Sequence, residues 1–191
     1  IERFQRDFPL RELLAKHLRS SRVPVSANAY LGAEAIAAAW DAGAEVIVVD
    51  SANTNIAQLA SHPLLVKPGS ESFLIDGLVK SVIEQDLIDE ASTTRHPQAF
   101  SALKQALAQV SLEQVSAQTG IAVEQIREIA AIFAEAPRAI ALCAEGIVRQ
   151  PNGYQNVLKL IDLAWVTGKL GQPGCGVTTV TEEINEQGAV D

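Results

Sequence analysis

The chain has 191 residues, a formal net charge of −8 and an isoelectric point near 4.9. Hydrophobic residues make up 48% and charged residues 20%, so the chain can bury a core, and its length predicts one domain with at most a small appendage. The acidic balance and the lack of a basic patch argue against nucleic acid as a partner. No apolar run in the sequence approaches the length of about 20 residues that a membrane span needs.

The sequence contains no methionine and begins at Ile1, from which we expect it to be a piece of a longer polypeptide. Its two cysteines, Cys143 and Cys175, form neither a CxxC pair nor a Cys/His cluster. We interpret them as reduced thiols, with Cys143 in a core strand, and not as metal ligands.

The first 43 residues predict helices around one ambiguous segment. Apolar spacings of three and four predict an amphipathic helix over 9–18. Residues 22–27 fit either a short strand or a loop, because Pro24 weakens a strand. Residues 31–42 are strong helix formers, and Gly43 is a natural helix stop.

A continuous apolar, β-branched run over 44–50 predicts a buried parallel strand that ends at Asp50. In open α/β sheets ligands bind beyond the carboxyl ends of the strands. Asp50 therefore has two open interpretations. It is either an acceptor for a nucleotide ribose or base, or a cap or turn former for the segment that follows.

The middle of the chain predicts mostly helices. We expect one or two helical turns over 53–61, a strand over 64–67 and a polar loop over 90–99. The helices predicted here span residues 71–85, 100–107, 111–117 and 123–136.

The last third of the chain predicts a second strand, a helix and a glycine-rich stretch. Residues 138–145 form the strand, which runs into a glycine turn at Gly146, and residues 154–167 form the helix. Residues 167–191 contain five glycines, which indicates either a functional loop or a long surface connection. Its acidic pair, Glu182 and Glu183, fits a cation site or, more simply, a solvated turn.

These elements predict an α/β fold of Rossmann-like, three-layer αβα type, in which helices cover both faces of a mainly parallel sheet. We divide the chain into a helical lead-in over 1–30 and the α/β domain over 31–191. The sequence shows no Ser/His/Asp spacing, GxGxxG fingerprint or phosphate loop. The residues alone thus predict a binding module with no catalytic or metal-binding residues.

Three segments together resemble the molybdopterin-dinucleotide oxidoreductases, which include formate dehydrogenases, nitrate reductases and the large iron–sulfur subunit of NADH-quinone oxidoreductase (complex I). Residues 43–79 resemble a strand that ends in Asp-Pro-Arg-x-Thr-x-x-Ala, followed by Pro-Gly-Thr-Asp at a helix start. Residues 119–153 resemble the family's helix, strand and Gly-x-Gly-Val-x-Gln loop, and residues 167–191 resemble its glycine-rich stretch that ends in Asn-x-x-Gly-Ala. The positions of the first segment that match are Asp50, Thr54, Ala57, Ala60, Pro68 and Gly69.

The resemblance implies the central domain of a formate dehydrogenase-like fold, which holds one guanosine end of a bis-pterin cofactor. By position, Asp50 would contact the guanine or ribose, and Glu71 would stand where the family has a guanine-reading Asp. The residues that the resemblance assigns to cofactor binding are Asp50, Thr54, Glu71, Gly146, Asn185 and Gly188.

The sequence also departs from the family pattern. Ser51 and Ala52 replace Pro-Arg, Glu145 stands where a small or apolar residue is usual, and no Arg lies near Thr181. The acidic ending is closer to the complex I-type subunit, in which the pterin site is often lost. Two alternatives therefore stay open: a cofactor-free scaffold domain and an unrelated nucleotide-binding α/β module.

The resemblance further implies a parent oxidoreductase of NADH-quinone or formate dehydrogenase type. We expect its iron–sulfur clusters outside this stretch, and no turnover from the stretch alone. The expected partners are other domains of the parent chain and subunits of an electron-transfer complex. The expected location is cytoplasmic, at the membrane face in a peripheral arm, without membrane insertion.

Overall fold

The computed structural model describes residues 25–26, 39, 41–148 and 150–180. The predicted helix over 9–18, nearly all of the one over 31–42, and the predicted site residues Asn185 and Gly188 lie outside these ranges, as do Glu182 and Glu183.

Every strand pair in the described part of the chain is parallel, as predicted. Strand β4 pairs with β1 on one side and β5 on the other, while β2 pairs with β3 and also contacts β1. The strands are β1 (Val25–Ser26), β2 (Ile47–Asp50), β3 (His62–Leu65), β4 (Ile140–Ala144) and β5 (Gly176–Val180).

Alternating residues of the strands face two separate cores. Ile47 of β2 and Cys143 of β4 belong to the larger core, which helices line on one face of the sheet. Val48 and Leu142 pack with Ala39 and Ile56 in a smaller core on the other face. Because both faces are covered, the strands read as continuous apolar runs, and this confirms the predicted α/β class.

The described ranges contain eight α-helices and one short 3₁₀-helix (Leu107–Gln109). Helix α2 is central to the larger core, because α5, α6 and α8 all pack against it. The helices are α1 (Asn55–Leu59), α2 (Glu71–Glu84), α3 (Glu90–Arg95), α4 (Pro97–Ala106), α5 (Leu112–Thr119), α6 (Val123–Glu135), α7 (Glu145–Val148) and α8 (Gly153–Val166). No helix in these ranges has the length and apolar character needed to cross a membrane.

The helix ends follow from local chemistry that the sequence predicts. Ser111 caps α5, where its hydroxyl accepts a hydrogen bond from the backbone N–H of Gln114 at 3.2 Å. Gly120 ends α5 in the left-handed conformation, at φ +84°. Gly43 has φ +77° and lets Ala44 N donate to Ala39 O, so the predicted stop there is confirmed.

The prediction of a polar loop over 90–99 is wrong, because these residues form α3 and the first turn of α4. The Asp89 carboxylate caps α3 by accepting from the backbone N–H of Ser92 at 2.8 Å. Asp89 N also donates to Val166 O at 2.7 Å, which ties the start of α3 to the end of α8. Pro97 stands at the start of α4, where its missing N–H has no helical partner to lose.

The third strand begins two residues before its predicted range. His62 N donates to Val46 O and Val66 N donates to Asp50 O, so even-numbered residues of β3 bond to β2. Pro63 therefore faces away from β2, where its lack of an N–H removes no hydrogen bond.

The glycine-rich stretch contains a strand that the sequence analysis did not predict. Gly168, Gly171 and Gly174 make turns at φ +71°, +76° and +76°, after which β5 pairs with β4 in register from Ile140 opposite Gly176. The β-branched residues of β5 favour extended backbone. Residues 176–180 of the stretch therefore belong to the sheet.

A partly buried ion pair, Lys159–Asp76, joins helices α2 and α8. Lys159 Nζ donates to Ser72 Oγ at 2.7 Å and to Asp76 Oδ2 at 2.6 Å.

Burial, and secondarily the charge of Asp76, raises the pKa of Asp162. The ionised form of Asp162 thus costs stability in the folded state.

We expect Asp162→Asn to stabilise the fold at pH 7, by less than about 1 kcal/mol because the site is partly solvated. A folded-state pKa above the unfolded value makes stability fall as pH rises between the two values. The gain should accordingly vanish below about pH 4, the ordinary range of an Asp pKa. Urea unfolding at pH 3.5 and 7 measures this. Asp76→Asn, which removes the charged partner of Lys159, should instead destabilise the fold at pH 7.

Candidate functional site

A cavity of about 360 Å³ lies at the carboxyl ends of β2 and β4. Ligand sites in α/β sheets occur at such edges, because strand ends leave a crevice between neighbouring loops. The polar groups around it come from the loop after β2, the start of α2 and the α7 turn. They are Asp50, Ser51, Gly69, Glu71, Gly146 and Gln150.

Asp50 lines the cavity and also organises its own loop. Its Oδ1 accepts from Ala52 N and its Oδ2 accepts from Thr54 Oγ1, both at 3.1 Å. Thr54 is the residue that caps α1, where its hydroxyl accepts from Ala57 N at 3.2 Å. Asp50 is therefore a turn former that still presents its carboxylate to the cavity. Thr54 does not line the cavity but holds Asp50 in place.

Glu71 is the first residue of α2 and lines the cavity opposite the β2 loop. The turn before it needs glycine at Gly69, where φ is +79°. The buried Ser70 hydroxyl donates to Lys67 O at 2.6 Å and closes this turn. A carboxylate at a helix N-terminus is stabilised by the exposed backbone N–H groups there.

Gly146 lies in α7, which takes the place of the predicted glycine turn. Gln150 follows it, and its Nε2 donates to Gly146 O at 2.9 Å and to Glu71 Oε2 at 3.3 Å. Gln150 is not among the predicted site residues, although it coincides with the Gln of the family's Gly-x-Gly-Val-x-Gln loop. Nothing local indicates that its partner lies 79 residues away.

Asn156 of α8 stands behind Gln150, and it was missed as well. Its Nδ2 lies 3.4 Å from Ile147 O and 3.5 Å from Gln150 Oε1. A sequence signal for it exists, because Asn156 falls on the buried stripe of α8 with Gly153, Leu160 and Leu163.

The floor of the cavity is apolar and chemically inert. Cys143 lies there, and burial raises the pKa of its thiol to about 11, so it is a protonated core residue at neutral pH. A smaller apolar cavity of about 60 Å³ lies among β2, α2, α6 and α8, and Glu71 borders both cavities. Within the described ranges, no group of three His, Cys, Asp or Glu side chains is arranged to hold a metal ion.

The chain is similar to catalytic subunits of known redox enzymes. It is 33% identical over 147 residues to the assimilatory nitrate reductase catalytic subunit of Bacillus subtilis, covering 77% of this chain and 21% of that protein. It is 32% identical over 149 residues to formate dehydrogenase H of Escherichia coli, covering 78% and 21% respectively. The chain belongs to the molybdopterin oxidoreductase superfamily.

A solved structure has the same fold as this chain. Acetylene hydratase from Pelobacter acetylenicus matches with a TM-score of 0.74 at 19% identity, over 86% of this chain and 25% of that one. The chain thus spans about a quarter or less of these relatives. It resembles one formate dehydrogenase-like domain. Neither a cofactor-free scaffold domain nor an unrelated nucleotide-binding α/β module is favoured.

A different family model matches the start of the chain. The model for acyclic terpene utilisation family protein AtuA matches residues 5–53, which is about a quarter of the chain. Most of those residues lie outside the described ranges. The match overlaps the cavity only at the β2 end, so it does not account for the site.

The structure brings three predicted site residues, Asp50, Glu71 and Gly146, to one cavity. Their roles in cofactor binding stay predictions.

Proposed function

We propose that this chain is the domain of a molybdopterin oxidoreductase that holds the guanosine end of a pterin dinucleotide. One observation carries the proposal: Asp50 and Glu71 line the same cavity, which lies at the carboxyl ends of β2 and β4. Both residues occupy positions that the superfamily pattern assigns to nucleotide contact.

The residues fit a guanosine group. Ligand sites commonly measure about 300–1,000 Å³, so a cavity of about 360 Å³ suits one nucleoside and not a whole bis-pterin cofactor. Each Asp50 oxygen accepts one bond within its loop and keeps a second acceptor position free for a ribose hydroxyl. The apolar floor offers a surface against which a base can lie.

The chain's own part in the reaction is binding and orientation. When bound, the pterin dinucleotide would supply the redox chemistry, while Asp50 and Glu71 hold its guanosine end. The similarity to formate dehydrogenase H supports a formate dehydrogenase-like parent, and the complex I-type subunit stays a prediction. Iron–sulfur clusters elsewhere in the parent chain, partner subunits of an electron-transfer complex and a cytoplasmic peripheral arm belong to the same proposal.

Titration of guanosine diphosphate (GDP) into the 191-residue chain tests this proposal. We expect saturable binding that weakens about 10-fold or more in Asp50→Ala and Asp50→Asn, since each variant removes a charged acceptor. Isothermal calorimetry measures the dissociation constants. Glu113→Gln, an equal charge change at an exposed site in α5, is the control and should bind as the wild type does.

Absence of binding at millimolar GDP would reject the proposed function. Unchanged affinity in Asp50→Ala would reject the role of Asp50.

A further inference from the structure

Gln150 joins two sides of the cavity through a single amide group. Its Nε2 donates to Glu71 Oε2 at 3.3 Å, in the first turn of α2, and to Gly146 O at 2.9 Å, in α7. A primary amide nitrogen carries two N–H donors, so both are in use. The Glu71 carboxylate is therefore held through one oxygen, and no hydrogen bond within the described chain is formed by its other oxygen, Oε1.

Asn156 sets the orientation of the Gln150 amide. Asn156 is fully buried, and its Nδ2 faces Ile147 O and Gln150 Oε1. The reversed Asn156 amide would place its oxygen against two acceptors, so the geometry determines which way it points. With Oε1 of Gln150 directed at Asn156, Nε2 points toward Gly146 O and Glu71 Oε2, so Asn156 and Gly146 O orient the amide together.

Stability alone gives a weak reason for asparagine at this position. Its Oδ1 is buried and has no hydrogen-bond partner within the described part of the chain, and a buried unpaired acceptor destabilises a fold. Both contacts of Nδ2 are long, so they offset little of that cost. A leucine of similar size would avoid the unpaired oxygen, which leaves orientation of Gln150 as the contribution specific to asparagine.

Resting on the proposed function, we propose that Asn156 and Gln150 are positioning residues that fix the Glu71 carboxylate and make the cavity selective for guanine. The guanine edge presents two adjacent donors, N1–H and the N2 amino group, which match the two oxygens of a carboxylate. Hypoxanthine lacks the N2 amino donor, and adenine presents an acceptor at N1. A carboxylate that rotates freely loses the two-point contact and so discriminates less.

The test compares GDP, inosine diphosphate (IDP) and adenosine diphosphate by calorimetry in the 191-residue chain. We expect the wild type to prefer GDP. In Gln150→Leu and in Asn156→Leu the dissociation constant for GDP should rise ~3- to 10-fold, and that for IDP by less than about twofold. The Asn156→Leu/Gln150→Leu double variant should bind GDP with the same dissociation constant as Gln150→Leu alone, because Asn156 acts through Gln150.

Thermal unfolding distinguishes positioning from a structural role. The Tm of Asn156→Leu should equal or exceed that of the wild type even though its selectivity falls. Gln155→Leu, at the neighbouring exposed position of α8, is the matched control and should leave selectivity unchanged.

The two proposals fail in different ways. A wild-type chain that binds no guanosine nucleotide rejects the proposed function, and this inference falls with it. A wild-type chain that binds GDP, with the same GDP-to-IDP ratio in both leucine variants, rejects only the positioning role. Equal increases in the dissociation constants for GDP and IDP would also reject the positioning role. Gln150→Leu alters a partly exposed residue, so its result stands even where Asn156→Leu does not fold.

Discussion

Gly153→Ala is expected to destabilise the fold by at least about 3 kcal/mol and to weaken GDP binding in the same variant. A Cβ at this position would lie 1.7 Å from Val148 O, 2.5 Å from Val148 C and 3.0 Å from Val148 Cα. These are backbone atoms, which cannot rotate away as a flexible side chain can. Either the start of α8 or the α7 turn must move by more than an ångström.

Movement of α7 would disturb the cavity, because Gly146 and Ile147 line it and Gln150 follows directly. Urea and thermal unfolding measure the first effect, for which about 3 kcal/mol corresponds to a Tm loss of roughly 6–12 °C. Calorimetry with GDP measures the second.

Gly171→Ala is the control, since Gly171 lies at φ +76° and a Cβ added there would meet no atom within 4 Å. That change brings backbone strain without a clash, and should cost only about 1–2 kcal/mol with no change in GDP affinity. A Gly153→Ala variant as stable as the wild type would contradict the close packing of α7 on α8.

Much of the fold follows from local patterns that the sequence carries. The runs that form β2 and β4 are continuous and apolar because both faces are buried. The buried face of α6, formed by Ile126, Ile129, Ala130 and Phe133, follows from the helical period of the apolar residues alone. Such elements need no knowledge of distant contacts.

Elements that depend on distant contacts were missed. The polar composition of residues 90–99 hides a helix whose start is fixed by the contact of Asp89 N with Val166 O in α8. The strand β5 is short and follows three turn glycines, and its pairing with β4 specifies it. In both places a tertiary contact adds the specification that composition alone does not supply.

The same distinction holds in the candidate site. Asp50 ends a strand and Gly146 follows one, so position along the chain indicates them, whereas Glu71 was assigned only through the family resemblance. Gln150 and Asn156 matter through contacts with one another and with Glu71, which the sequence does not indicate. Residues at strand ends and helix starts that line the cavity were thus easier to predict than residues whose contacts come from distant parts of the chain.

Lys169→Met is expected to destabilise the fold by about 2–3 kcal/mol. Lys169 is only 7% exposed, and its Nζ donates to Ala134 O at 3.0 Å and Ala136 O at 2.6 Å at the end of α6. A cation there satisfies carbonyls that have no helical partner and interacts favourably with the helix dipole. Methionine fills similar space but leaves both carbonyls without this donor.

Lys67→Met is the matched control. Lys67 Nζ donates to Ala117 O at 2.8 Å near the end of α5, but Lys67 is exposed, so water can replace it. Its loss should cost less than about 0.5 kcal/mol. Equal losses in the two variants, measured by urea unfolding at pH 7, would show that burial of Lys169 contributes nothing.

The pH dependence gives a second readout for Lys169. Burial lowers its pKa from the ordinary value of 10.5, an effect that the charges of Cys175 and Asp89 partly oppose. Between the lowered folded pKa and 10.5 the unfolded chain binds more protons than the folded one, so wild-type stability gains from this group as pH rises. Lys169→Met lacks that gain, and its deficit relative to the wild type should widen toward pH 10. A deficit that narrows over this range would mean that the ammonium is favoured in the folded state, and that its bonds to the α6 carbonyls outweigh its desolvation.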